Sequence, residues 1–296
     1  MRQFWPALAA LIALQTGGAA HAAITVRDDD GFAVTVQQPA RRVIAMAPHV
    51  TELLFAAGGG EHIVGAVSYS DFPEAAKRIA RIGDNREVDL ERVLALKPDL
   101  IVVWLHGGSE RQIAALRQLG IPIFHSEPKK LDDIADSVLR LGHLMGSDAV
   151  AGPAAAALRR QLAALGAHYA ARPPLRVFYQ VWDQPLYTLN GAHIVSDALR
   201  LCGGENIFAG MSATAPQVGI EAVLQEDPEA IVGSSEKSAV EGGVNMWRRY
   251  PSLKAVRADN LFQLDGDLLN RAGPRMIAGA AALCEKLELA RRHRPP

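Results

Sequence analysis

The chain has 296 residues, of which 49% are hydrophobic, 21% charged and 6% aromatic, with two cysteines. That apolar fraction excludes a disordered chain, and 31 Lys and Arg against 32 Asp and Glu, a net charge of -1, exclude the one-signed field that holds a nucleic acid. Two cysteines are too few for a disulfide scaffold or a four-cysteine zinc site, and the length suits about two domains of roughly 150 residues.

The chain opens on Met1-Arg2-Gln3, with one positive charge, followed by an apolar run from Phe4 to Leu14 that is too short to span a bilayer. Small residues then end at Ala20-His21-Ala22, an A-x-A cleavage pattern. Residues 1–22 therefore read as a cleaved signal peptide. With no cysteine near the cleavage point, the exported product is not a lipoprotein, and it enters a compartment where disulfides persist.

An extended start over residues 24–36 is followed by a strand at Arg42–Met46, a turn at Pro48 and a helix for which Thr51 is the expected N-cap. Gly58-Gly59-Gly60 follows that helix and reads as its cap and loop rather than a phosphate cradle. Ile63–Val67 is a second strand, and Asp89 caps a helix from Leu90 to Leu96 that stops at Pro98. Leu100–Trp104 is an unbroken apolar run, as expected of a parallel strand covered on both faces. A helix at Arg111–Leu119 and a strand at Ile121–Phe124 complete an α/β lobe over residues 23–130. Strands then stop. Residues 131–173 hold two Ala- and Leu-rich helical stretches, the second beginning near Pro153 as a first-turn proline and ending at Pro173-Pro174. Alternation resumes at Leu175–Tyr179, so residues 174–296 form a second lobe. The expected fold is α/β: two Rossmann-like lobes with mainly parallel sheets, joined by a long connecting helix.

An internal repeat relates the lobes. Leu90-Glu91-Arg92-Val93-Leu94 leads through Pro98-Asp99 to Ile101-Val102, and Ile220-Glu221-Ala222-Val223-Leu224 leads through Pro228-Glu229 to Ile231-Val232, each pair offset by 130 positions. Arg42-Val43 matches Arg176-Val177 at an offset of 134. Ligands of open α/β sheets bind beyond the carboxyl ends of the strands, so the two lobes should face each other across a cleft. The loops at those ends carry Tyr69, Trp104, Trp182 and Tyr187, an uneven share of a sparse aromatic complement. Each ring alone is as well suited to packing a loop as to touching a ligand; as a group they suit a large, flat, partly apolar one.

The chain resembles the periplasmic cobalamin-binding proteins of vitamin importers, within the wider class that also takes iron siderophores and haem. The resemblance runs from about Arg42 to Leu287 and is carried by Ser68-Tyr69-Ser70-Asp71-Phe72-Pro73, Leu90-Glu91-Arg92 through Lys97-Pro98-Asp99, Cys202-Gly203-Gly204-Glu205-Asn206-Ile207-Phe208, Pro216-Gln217-Val218 and Arg271-Ala272-Gly273-Pro274-Arg275. It implies a corrin ring held between two rigid lobes, with Tyr69, Trp104, Tyr187, Asp267 and Arg271 at ligand-contacting positions. Asn85 and Ala215 stand where the best-known cobalamin binder of that family has tryptophans, which removes stacking area, and Trp182 is placed to restore part of it. Asp267 and Arg271 can bond peripheral amides or pair with each other. It also implies docking on an ABC importer, a permease dimer with its ATPase subunits, through one glutamate per lobe, at Glu91 and Glu221. Cys202 and Cys284 match positions that form a disulfide.

Nine histidines invite a metal reading, but no H-x-H or H-x-x-x-H pair occurs, and His49 and His106 read as solvated loop residues able to approach a ligand's metal. There is no G-x-S-x-G, P-loop or G-x-G-x-x-G after a strand, so an enzyme is not expected. The sequence thus points to a periplasmic, monomeric binding protein for cobalamin or a related corrinoid, with no cofactor or metal site of its own. Haem or an iron siderophore on the same scaffold is the alternative.

Overall fold

The computed structural model describes residues 22–84, 87–104, 110–235 and 243–294. Residues 1–21 of the expected signal peptide lie outside them, as do Asn85 and His106. The elements run β1 (Ile24–Arg27), β2 (Ala33–Val36), β3 (Val43–Ala45), α1 (Pro48–Ala56), β4 (Ile63–Ala66), α2 (Leu90–Ala95), β5 (Leu100–Val103), α3 (Glu110–Gln118) and β6 (Ile123–His125). Two long helices follow, α4 (Leu131–Met145) and α5 (Asp148–Tyr169). The chain then continues through β7 (Leu175–Gln180), β8 (Trp182–Asp183), β9 (Leu186–Tyr187), α6 (Ile194–Leu201), β10 (Gly204–Asn206), α7 (Ile220–Glu226) and β11 (Ala230–Ser235). It ends with α8 (Lys254–Arg257), β12 (Leu261–Asp265), α9 (Gly266–Leu269) and α10 (Met276–Arg292).

Two parallel four-stranded sheets form, in the orders β4-β3-β5-β6 and β10-β7-β11-β12. Strands β3 and β5 are apolar and wholly buried, as parallel strands covered by helices on both faces must be, and β7 is buried at every position but Arg176. The repeat seen in the sequence is a repeat of sheet register. Val43 pairs with Leu100 and Val177 with Ala230; Ile101 pairs with Ile123 and Ile231 with Leu261. Its polar residues turn out to be clamps. Asp99 accepts from the backbone amides of Arg41 and Arg42, and Arg42 donates to the carbonyl of Leu96 at the end of α2. Glu229 likewise accepts from the amide of Arg176, which donates to the carbonyl of Glu226 at the end of α7. Lys97 and Asp227 are both left-handed, with φ of 46° and 43°, where each helix turns into its strand.

Asp89 caps α2, accepting from the Arg92 amide at 2.9 Å. Two local expectations are corrected. Thr51 is not an N-cap: α1 begins at Pro48 after Ala47, and Thr51 lies inside it, its hydroxyl facing the Ala47 carbonyl. Proline at the first helical position needs no amide partner and brings the helical φ with it, so it starts the helix earlier. Pro153 does not open α5 either, since the helix begins at Asp148 and carries the proline inside it.

Helices α4 and α5 pack on each other and on both lobes. One cluster of buried side chains runs from Val43, Leu53 and Leu100 through Leu131, Val138 and Ala155 to Val177, Leu199 and Leu283. Smaller clusters fill the outer face of each sheet, around Ile101 in the first lobe and around Phe178 and Trp247 in the second.

Candidate ligand-binding cleft

The carboxyl ends of both sheets meet at a cavity of about 280 Å³. Met46 follows β3, Tyr69 follows β4, Trp104 follows β5, and Asp267, Asn270 and Arg271 follow β12. Tyr69 is a non-glycine residue with φ of 65°, and its side chain is 71% exposed. Arg81 steadies this loop by donating to the Ser70 and Ala76 carbonyls. A second cavity of about 250 Å³ shares His49, Trp104 and Asn270 with the first and adds Glu127, Lys129 and His193.

A network of charges crosses from lobe to lobe beside the first cavity. The Arg271 guanidinium lies 2.7 Å from Asp71, 2.9 Å from Asp267 and 3.6 Å from Glu52. Arg275 forks onto Glu52 at 2.6 and 3.0 Å and lies over the Phe72 ring. Glu52 is on α1, its side chain 2% exposed, so these guanidiniums are its compensation for burial. Asp267 and Arg271, for which two uses were open, pair with each other in this structure. Partial burial pushes the Asp71 carboxyl up, but the Arg271 hydrogen bond and the charges of Arg271 and Arg275 hold it below its ordinary value.

His49 is not a solvated loop residue. It sits in the first turn of α1, 5% exposed, edge-on to Trp104 with ring centroids 5.7 Å apart. Burial, aided by the Arg271 charge and opposed by a hydrogen bond to the Ser126 backbone, lowers its pKa to about 4. On the second lobe, the Tyr179 hydroxyl donates to Ser234 Oγ at 2.8 Å, and Ser234 Oγ donates to Asn270 Oδ1 at 2.7 Å. Burial pushes the Tyr179 phenol up to about 12 despite the Ser234 bond, so this chain stays neutral.

Tyr69, Trp104, Asp267 and Arg271 thus share one cavity. Trp182 and Tyr187 face each other across the β8–β9 hairpin and border neither cavity; the Trp182 indole donates to the Gln184 carbonyl and the ring is 61% exposed. Glu91 and Glu221 occupy the same first-turn position of α2 and α7, both exposed. Cys202, at the end of α6, is bonded to Cys284 on α10. Sequence reasoning missed Glu52, Arg275, Asp71 and Asn270 as members of this site. A signal existed for Glu52: a carboxylate set among Val50, Leu53 and Leu54 needs a buried cation.

Residues 43–268 match the periplasmic binding protein family. A vitamin B12-binding protein of Vibrio cholerae is 40% identical over 255 residues, 86% of this chain and 91% of that one. One of Yersinia pestis is 39% identical over 250 residues, 84% of this chain and 87% of that one. A crystal structure of the periplasmic vitamin B12 binding protein of Vibrio cholerae aligns with a TM-score of 0.79 at 39% identity, covering 86% of this chain and 98% of that one. A periplasmic heme binding protein of Pseudomonas aeruginosa aligns at 0.70 and 25% identity, covering 83% and 91%. With two parallel α/β lobes closing on an aromatic and charged cleft, the chain belongs to the periplasmic binding protein family and is a binding protein, not an enzyme.

Proposed function

We propose that this protein captures cobalamin or a closely related corrinoid in the cleft between its lobes and delivers it to an ABC importer. The supporting observation is that Tyr69, Trp104, Asp267 and Arg271 border one cavity in a chain that is 40% identical to a vitamin B12-binding protein. Tyr69 and Trp104 offer aromatic faces to a flat macrocycle, and Trp182 and Tyr187 extend that surface when the large ligand overhangs the cavity. Asp267 and Arg271 bond its polar rim. The haem-binding relative shares the fold at a lower identity of 25%, which favours the corrinoid. Residues 1–22 direct export and are removed; residues 23–130 and 174–296 form the lobes, 131–173 connects them, and the mature protein acts as a monomer.

Calorimetric titration with cyanocobalamin, haemin and a ferric siderophore tests the reading. Heat of binding is expected from cyanocobalamin at submicromolar concentration, and binding of haemin alone would overturn it.

Glu91 and Glu221 are proposed to dock on arginines of the two permease subunits. The repeat places both in equivalent helix turns, which gives the pseudo-symmetry a permease dimer requires. Reversing both charges, Glu91→Lys with Glu221→Lys, is expected to leave cyanocobalamin affinity within about twofold while cutting vitamin uptake at least tenfold, since truncating rim charges slows association rather than altering a distant site. Uptake at the wild-type rate would remove the docking assignment.

A further inference from the structure

Two residues outside the motifs considered so far border both inter-lobe cavities, and the polarity of each is set from behind. His49 uses one ring nitrogen on the Ser126 backbone, while Nε2 is buried without a hydrogen-bond partner. The ring is neutral near pH 7, so Nε2 is a bare acceptor. Asn270 has its Oδ1 taken by the Ser234 and Tyr179 hydroxyls. Its Nδ2 has no partner among the described residues, and the residue is exposed at the cavity wall. Two residues bordering the cleft therefore each hold an unmet polar group: His49 an acceptor buried just beneath the wall, which a donor reaches only with a small shift of the ring, and Asn270 an exposed donor whose need is an incoming acceptor.

The charges around this wall select between the two common polar ends of a macrocycle side chain. Arg271 and Arg275 carry two positive charges against three negative ones on Glu52, Asp71 and Asp267. The second cavity adds Lys129 and Glu127, one of each sign. A carboxylate entering beside Arg271 and Arg275 meets guanidiniums already paired with carboxylates, in a surround of three negative charges to two positive, and brings no proton for Nε2. A primary carboxamide brings an N–H for His49, a carbonyl for Asn270 and no net charge.

We propose that His49 and Asn270 form a carboxamide-reading corner, by which the cleft admits an amidated macrocycle and rejects its carboxylate counterpart. Tyr179 and Ser234 act as positioning residues for Asn270. The proposal rests on the corrinoid reading, whose ligand carries amides around the ring where haem carries carboxylates.

The test titrates the protein with cyanocobalamin and with its monocarboxylate derivatives, each having one peripheral amide hydrolysed. At least one derivative should bind roughly tenfold to hundredfold more weakly, the loss expected when a buried hydrogen-bonding group is left unpaired. His49→Leu and Asn270→Ala should weaken cyanocobalamin binding and bring that derivative within threefold of it. His49→Gln, which keeps an acceptor, should restore part of the preference, separating recognition from a folding defect. All derivatives binding wild type within threefold of the parent, or an unchanged preference in both folded variants, would overturn the corner alone. Absence of cyanocobalamin binding to wild type would overturn the corrinoid reading and the corner with it.

Discussion

Replacing Cys202 and Cys284 together by alanine is expected to lower the unfolding free energy by about 4 kcal/mol, because the bond closes a loop spanning 82 positions. That span includes β10, α7, β11, β12 and α9, most of the second sheet. Without the cross-link the unfolded chain regains the freedom of the whole segment, while the folded chain loses only a contact between α6 and α10. Both cysteines are fully buried and neither borders a cavity, so alanine leaves the cleft intact. Urea unfolding of the variant and of the wild type with and without reductant measures the difference. A loss below about 1 kcal/mol would show that the unfolded chain is already compact enough to make the bond redundant.

The second large effect is expected at Glu52. Glu52→Leu leaves Arg275, and to a lesser degree Arg271, partly desolvated without its carboxylate, and the loss should be about 3 kcal/mol. Pairing it with Arg275→Leu should recover much of that loss, because two apolar side chains can fill the space without leaving a charge. Unfolding midpoints of the two single variants and the double variant separate these outcomes. If the double variant is as unstable as the sum of the singles, Glu52 acts through packing on α1 rather than through its pair with Arg275.

Elements and topology were legible because their signals are local. The unbroken apolar runs gave parallel strands, and the Pro-acid pairs after α2 and α7 marked the clamps that align the two sheets. The errors arose where two local signals compete. Thr51 and Pro48 both favour a helix start, and proline prevailed because its φ is fixed whatever its neighbours do. At Pro153 the same preference misled, since Gly146 in the left-handed conformation had already ended α4 and let α5 begin at Asp148. That earlier start of α1 also carried His49 out of the loop and onto a buried face. The inter-lobe charges were hidden for a different reason. Glu52 and Arg275, or Asp71 and Arg271, are about 200 positions apart, and no local period records which cation serves which carboxylate.

The apolar cluster shared by both lobes has a mechanical meaning. Swinging the lobes apart would expose part of it, and at about 25 cal/mol per Å² each 200 Å² or so of exposed surface costs about 5 kcal/mol. A widely opened form is then populated at less than about one part in a thousand. A cost of that size favours a gap between the lobes that is set before any ligand arrives. If Glu91 and Glu221 dock as proposed, the same cost would hold them near one separation with the cleft empty or filled, a calliper rather than a trap.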